Sequence, residues 1–184
     1  MSKITLMLVA AASLLPAAFF QNAEAQDSYS AKVVTGSTSA QQIQFNFTIT
    51  KYTTEAELKE LAAILKDKGE DALIDAMKKL EAGRINKLGD TGNEIAVADK
   101  SQSGKQTIIT MVTPRRISVT ELSRGAQHTD YPFGILQVTL NENGEGTGKM
   151  MTAAKIKFNE KKGHFEVEPY GAGHSKVTNV VPNK

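Results

Sequence analysis

The sequence predicts an α+β chain: a mainly antiparallel, strongly curved sheet or partial barrel, with a two-helix pair inserted after the first strands. Three observations carry that expectation. Residues 43–49 alternate apolar and polar side chains with a period of two, the signature of a half-buried strand. Two stretches of helical periodicity follow at once, between Thr54 and Leu80. From Arg84 onward, short apolar runs are separated by turn-forming clusters and not by helices. That pattern favours hairpins over a βαβ alternation and makes a Rossmann-like sheet unsuitable.

The first element is an address. Lys3 supplies a positive start, Ile4 to Leu15 is nearly all apolar, Pro16 breaks the run, and Ala23-Glu24-Ala25 offers small residues at the positions a signal peptidase reads. The run is shorter than the roughly 20 residues needed to cross a bilayer. Residues 1–25 are therefore expected to be a cleavable signal peptide, and residues 26–184 a single α+β domain, exported to the periplasm or beyond. The chain contains no cysteine. It can form no disulfide and carry no lipid on an N-terminal cysteine, so its stability must come from a packed core. The absence of disulfides in an exported chain also favours a bacterial source.

The mature stretch opens on the polar residues 26–30, expected to fray. A short strand over 31–34 and a turn at Gly36 precede the alternating strand, where Ile43, Phe45, Phe47 and Ile49 share one face. Thr54 and Glu57 fit a capping box, in which hydroxyl and carboxylate satisfy free amides at a helix start. Leu58, Leu61 and Leu65 then recur at helical spacing, and Gly69 is a natural stop. Glu70 and Asp71 open a second helix with the stripe Leu73, Met77 and Leu80, ending by Gly83. Further strands are expected over 84–88, 94–98, 106–112, 116–119, 133–140, 149–158, 164–168 and 176–181. Turn clusters separate most of them, including Gly89–Gly92, Ser101–Gly104 and Asn141–Gly144.

Charge excludes more than it assigns. The net charge is +2, and loss of Lys3 and Glu24 together leaves it unchanged. No basic stripe interleaved with aromatics occurs, so nucleic acid is not an expected partner. No later stretch is apolar enough to span a membrane. Asn141, Asn143, Glu145 and Gly146 fall at the first positions of a calcium loop, but position twelve is Thr152, where a bidentate glutamate is needed. Gly144, Gly146 and Gly148 precede a predicted strand, whereas phosphate loops open a helix. Both stretches read better as a glycine-rich hairpin. His128, His164 and His174 lack metal-ligand spacing, so neither metal nor cofactor is expected.

The segment Thr113 to Gly134 is the best candidate for a binding site. Three of the four arginines, Arg115, Arg116 and Arg124, lie there with Glu121, His128, Asp130 and Tyr131. Long connections in small domains often carry function, and guanidinium forks hold carboxylates or phosphates bidentately. A network that braces the loop would explain the same residues. Ser118 or Ser123 with His128 and Asp130 could also be imagined as a triad, but neither serine sits on a nucleophile elbow.

The helical pair, Thr113-Pro-Arg-Arg-Ile-Ser, Tyr131-Pro-Phe-Gly-Ile, Gly144-Glu-Gly-Thr-Gly-Lys and Ala153-Ala-Lys-Ile together resemble a family of uncharacterised exported bacterial proteins. The resemblance implies bacterial origin and export, and no chemistry. The expected function is that of an exported non-enzymatic domain binding a small molecule or an envelope protein. A cavity lined by Phe45, Phe47, Leu136, Val138, Ile156 and Phe158 would hold the ligand, unless these side chains simply fill the core. The alternatives are a hydrolase-like enzyme using residues 113–134 and a protein–protein interaction module.

Overall fold

The computed structural model describes residues 26–35, 41–87, 92–117, 130–159, 164–171 and 173–183. The proposed signal peptide, residues 1–25, lies outside the described residues. Ten strands and two helices follow in the order β1 (Asp27–Thr35), β2 (Gln41–Ile49), α1 (Glu55–Lys68), α2 (Glu70–Met77), β3 (Gly83–Lys87), β4 (Asn93–Ile95), β5 (Val97–Ser103), β6 (Gln106–Thr113), β7 (Phe133–Leu140), β8 (Gly146–Asn159), β9 (His164–Pro169) and β10 (Ser175–Pro182).

All ten strands belong to one sheet, ordered β4-β3-β2-β1-β10-β8-β7-β6-β5, with β9 attached to β8. Every pairing is antiparallel. The two ends of this path, β4 and β5, are separated only by Ala96. They act as one bent strand whose first part pairs with β3 and whose second part pairs with β6. The Ala96 amide also donates to the Val112 carbonyl at 2.9 Å. The sheet therefore curls into a nearly closed barrel, and "α+β" fits only loosely: this is an antiparallel barrel carrying two helices. With β4 and β5 counted once and β9 set aside, ten strands reduce to eight wall positions. At that size side chains can just fill the interior.

They do fill it. Phe45, Phe47, Ile49, Met111, Leu136 and Met150 are all 0% exposed within one apolar cluster. The alternation predicted for β2 thus sends its apolar side inward. Tyr29 stacks on Phe47 with ring centroids 5.0 Å apart. Residues 27–30, expected to fray, are instead ordered as the start of β1, paired to β2 on one side and β10 on the other. Their polarity reflects the outward face: Ser30 Oγ lies 2.9 Å from Asn46 Oδ1 and is also within hydrogen-bond reach of Asn183 Oδ1.

The helical pair covers part of the outer wall. Thr54 and Glu57 form the capping box, and Glu57 is held at a pKa of about 2, first by the Lys51 ammonium and then by the Thr54 amide and hydroxyl. Gly69, at φ 84°, ends α1 and begins α2. The second helix stops at Met77, earlier than its sequence pattern suggests. Ala82 must extend to donate to the Ile95 carbonyl and accept the Thr50 amide, at 2.8 and 2.9 Å, which pulls the chain out of the helix. Gly83 then approaches β2 so closely that a Cβ would lie 2.0 Å from the Thr48 carbonyl oxygen. Leu61, Leu65, Leu73 and Met77 pack on Ala96, Val97 and Phe133. A second outer patch, Ile135, Met151 and Ala154, lies beneath Val167 of the β9 arm.

Candidate functional site

The segment expected to carry the site begins as a tight brace. Buried Thr113 donates through Oγ1 to the Arg115 carbonyl at 2.5 Å, and the same atom lies 3.3 Å from the Gly134 carbonyl. The Ile117 amide donates to Thr152 at 3.0 Å, and its side chain is buried beside Gly134. The expected strand over 116–119 is not seen at Arg116 and Ile117, and its remainder lies outside the described residues. Arg115 is exposed and donates to the Gly92 carbonyl at 2.7 Å. Arg116 is half-buried and its Nε donates to the Tyr131 carbonyl at 3.2 Å. The two forks therefore reach different backbone carbonyls and do not converge. Asp130 is exposed. Glu121, Arg124 and His128, with both candidate serines, lie outside the described residues.

Tyr131 instead joins a polar cluster on the β8–β9 arm. Its hydroxyl donates to Glu168 Oε1 at 2.5 Å, while Lys157 Nζ meets Glu168 Oε2 at 2.7 Å. The Lys157 ammonium, and after it the Tyr131 hydroxyl, hold the Glu168 carboxyl below the usual carboxylate range. Lys155 lies over the Tyr131 ring at 5.9 Å, and the Tyr170 ring packs on it in a tilted arrangement with centroids 5.2 Å apart. Beside this cluster Glu70 accepts the Ile156 amide at 3.2 Å, capping the strand edge that β9 does not use. Burial raises the Glu70 pKa. An open groove of about 230 Å³ lies between the Gly69 hinge and Lys155–Lys157.

A second polar cluster sits at one mouth of the barrel. The Tyr52 hydroxyl donates to Asp27 Oδ2 at 2.5 Å, and Lys100 reaches the same oxygen at 3.4 Å while lying 4.9 Å from the Tyr52 ring centre. Burial and the Asp27 carboxylate both push the Tyr52 phenol up, so it stays a proton donor. An open cavity of about 450 Å³ adjoins it, lined in part by Tyr29, Lys100, Gln102, Lys105 and Asn141. Its charges are matched: Lys100 with Asp27, and Lys105 with Glu142 at 3.6 Å.

A further cavity lies on the outer wall where β10 bulges. Between Val177 and Val180 the register shifts against β8, and between Ser30 and Lys32 of β1 it shifts against β10. Asn179 is the one non-glycine residue with positive φ, at 52°, among the described residues. The result is an open groove of about 680 Å³, lined by Ser30, Lys32, Gln44, Glu145, Lys176 and Thr178 among others. Its rim is the Asn141–Glu145 turn, in which Asn141 Oδ1 accepts the amides of Asn143 and Glu145 at 2.9 and 3.0 Å. The oxygen that a calcium loop would point at a metal is thus used to close a hairpin. Among the described residues no group of three or more His, Cys, Asp or Glu side chains is placed to hold a metal. His174 is exposed.

Sequence reasoning did not single out the Asp27–Tyr52–Lys100 cluster or the β10 groove. Both depend on strand register between segments far apart in the chain, which no local pattern encodes. Comparison with protein-family profiles, with curated proteins and with solved structures finds no match to this chain.

Proposed function

We propose that this chain is an exported bacterial binding domain without a reaction of its own, and that its ligand meets the barrel from outside. The filled interior supports this reading. Phe45, Phe47, Leu136 and Val138, which would line an internal cavity, are each 0% exposed and pack on one another. Ile156, assigned to the same cavity from sequence, packs under the helices instead. The side chain of Phe158 lies outside the described set. Three roomy cavities bounded by described residues open to solvent; the one beside Lys100 and Lys105 has a mainly polar lining, and the other two have lysine and glutamate side chains on their walls. A small polar ligand suits such surfaces better than a protein partner does. The large apolar side chains exposed among the described residues are Tyr170, just past the end of β9, and Val181 on β10, and two such residues on different elements make no extended apolar patch.

Two measurements test the reading. Expression of the full chain in a bacterial host, followed by intact mass determination, should give a released protein beginning at Gln26. Retention of residues 1–25 in a cell-bound product would contradict export. Titration with a neutral naphthylamine dye should give no saturable fluorescence gain. Stoichiometric uptake would place ligand inside the barrel and overturn the reading.

A further inference from the structure

We infer that the outer wall of β1, β10 and β8 binds a phosphate-bearing polyanion, held by Lys32, Lys176 and Lys149 along the groove beside the β10 bulge. The inference rests on the reading that ligands meet this barrel from outside, and adds their chemistry. The register places Lys176 directly opposite Lys149, and Lys32 opposite Thr178, two residues along β10 from Lys176. Val33, Val177 and Met150 are fully buried in the interior, so strand alternation turns all three lysines outward.

Like charges directly opposite on a ladder repel. Six other lysines meet carboxylates, Lys51 with Glu57, Lys59 with Glu55, Lys78 with Asp75, Lys100 with Asp27, Lys105 with Glu142 and Lys157 with Glu168, and what sets the wall lysines apart is that the strand register gathers them on adjacent strands. Lys32, Lys149 and Lys176 have no ion-pair partner among the described residues. One carboxylate, Glu145, lines the groove, against two lysines in the lining and a third beside it.

Shape agrees with charge. Strands lie ~4.8 Å apart, so the backbones of three lysines on three successive strands span roughly 10 Å. A short chain of phosphates matches that span. The bulge opens the wall beside them, and bulges commonly re-aim side chains next to sites. Gln44 and Thr178 add donors in the same groove. Lysine binds phosphate as a point charge, which tolerates an extended and variable ligand.

The test is calorimetric titration of the full chain with sodium tripolyphosphate at low ionic strength. Saturable binding is expected, weakened by salt. The triple variant K32Q/K149Q/K176Q should bind about tenfold more weakly or worse, whereas K59Q on α1 should bind as the parent does. A triple variant that keeps its thermal transition yet binds equally well would overturn the proposal, as would a parent that does not bind. Phosphatidylcholine vesicles with and without phosphatidylglycerol separate a soluble polyanion from a lipid headgroup. Binding to the anionic vesicles and not to tripolyphosphate would also overturn it. If the dye stays out of the barrel and tripolyphosphate fails to bind, only this inference falls; if the dye enters, the broader reading falls with it.

Discussion

The outer wall of the barrel is built in two ways, and β8 takes part in both. Near its middle, Met151 and Ala154 face outward beside Ile135 of β7 and are buried, under the β9 arm. Next door, Phe133 and Val97 are covered by the helical pair. Two residues before Met151, Lys149 also faces outward; it is exposed, opposite Lys176, with no covering element among the described residues. The difference teaches what the additions to the barrel are for. Apolar outer positions require a lid, and the helices and the β9 arm supply it. The polar stretch has none among the described residues, and Lys149 and Lys176 there are exposed.

Phe133→Ala should break the covered side most severely. The side chain is 0% exposed and packs on helical residues. The loss should be ~3–5 kcal/mol, read as a lower urea midpoint. On the open side, Gly146→Ala tests the close approach of β8 to β7. A Cβ there would lie 1.9 Å from the Thr139 carbonyl oxygen, so a strand must shift. A cost of ~1–3 kcal/mol is expected, again by urea unfolding. Thr54→Ala removes the α1 cap and should cost ~1 kcal/mol by thermal melting.

The same cap predicts a pH effect. Glu57 has its folded pKa depressed to about 2 from an ordinary 4.5. Its stabilising contribution is therefore present above about pH 4.5 and lost as pH falls through about 2. Glu57→Gln should flatten the acid limb of the stability–pH curve in that window. The smallest effect, and the one of opposite sign, belongs to the bare wall. Lys176→Gln relieves repulsion with Lys149 and should raise stability by ~0.2–1 kcal/mol at low ionic strength. The gain should vanish in high salt.

Much of the frame was legible locally. The period-two run Ile43–Ile49 and the capping box at Thr54 each rest on neighbouring residues, and both appear as read. β7 spans Phe133–Leu140, as its apolar run implies. What was not legible depends on distant partners. Ser28 and Ser30 look like a frayed tail until Thr48 and Asn46 lie opposite them. The bend at Ala96, which lets one strand serve both ends of the sheet, has no local signal. The candidate site was less legible still. Arg115 and Arg116 are adjacent in sequence, yet reach carbonyls of Gly92 and Tyr131 on different sides. Lys149 and Lys176 each read as ordinary solvated strand residues, and only the β10 bulge and its register set them face to face.

The central claim is that the barrel interior is filled and ligands bind outside it. Methyl NMR of the full chain under xenon pressure tests this most directly, because xenon enters dry apolar voids without needing a polar contact. The account predicts no saturable shift at Met111, Leu136, Val138 or Met150. Saturable shifts at these methyls would reveal an internal cavity and contradict it.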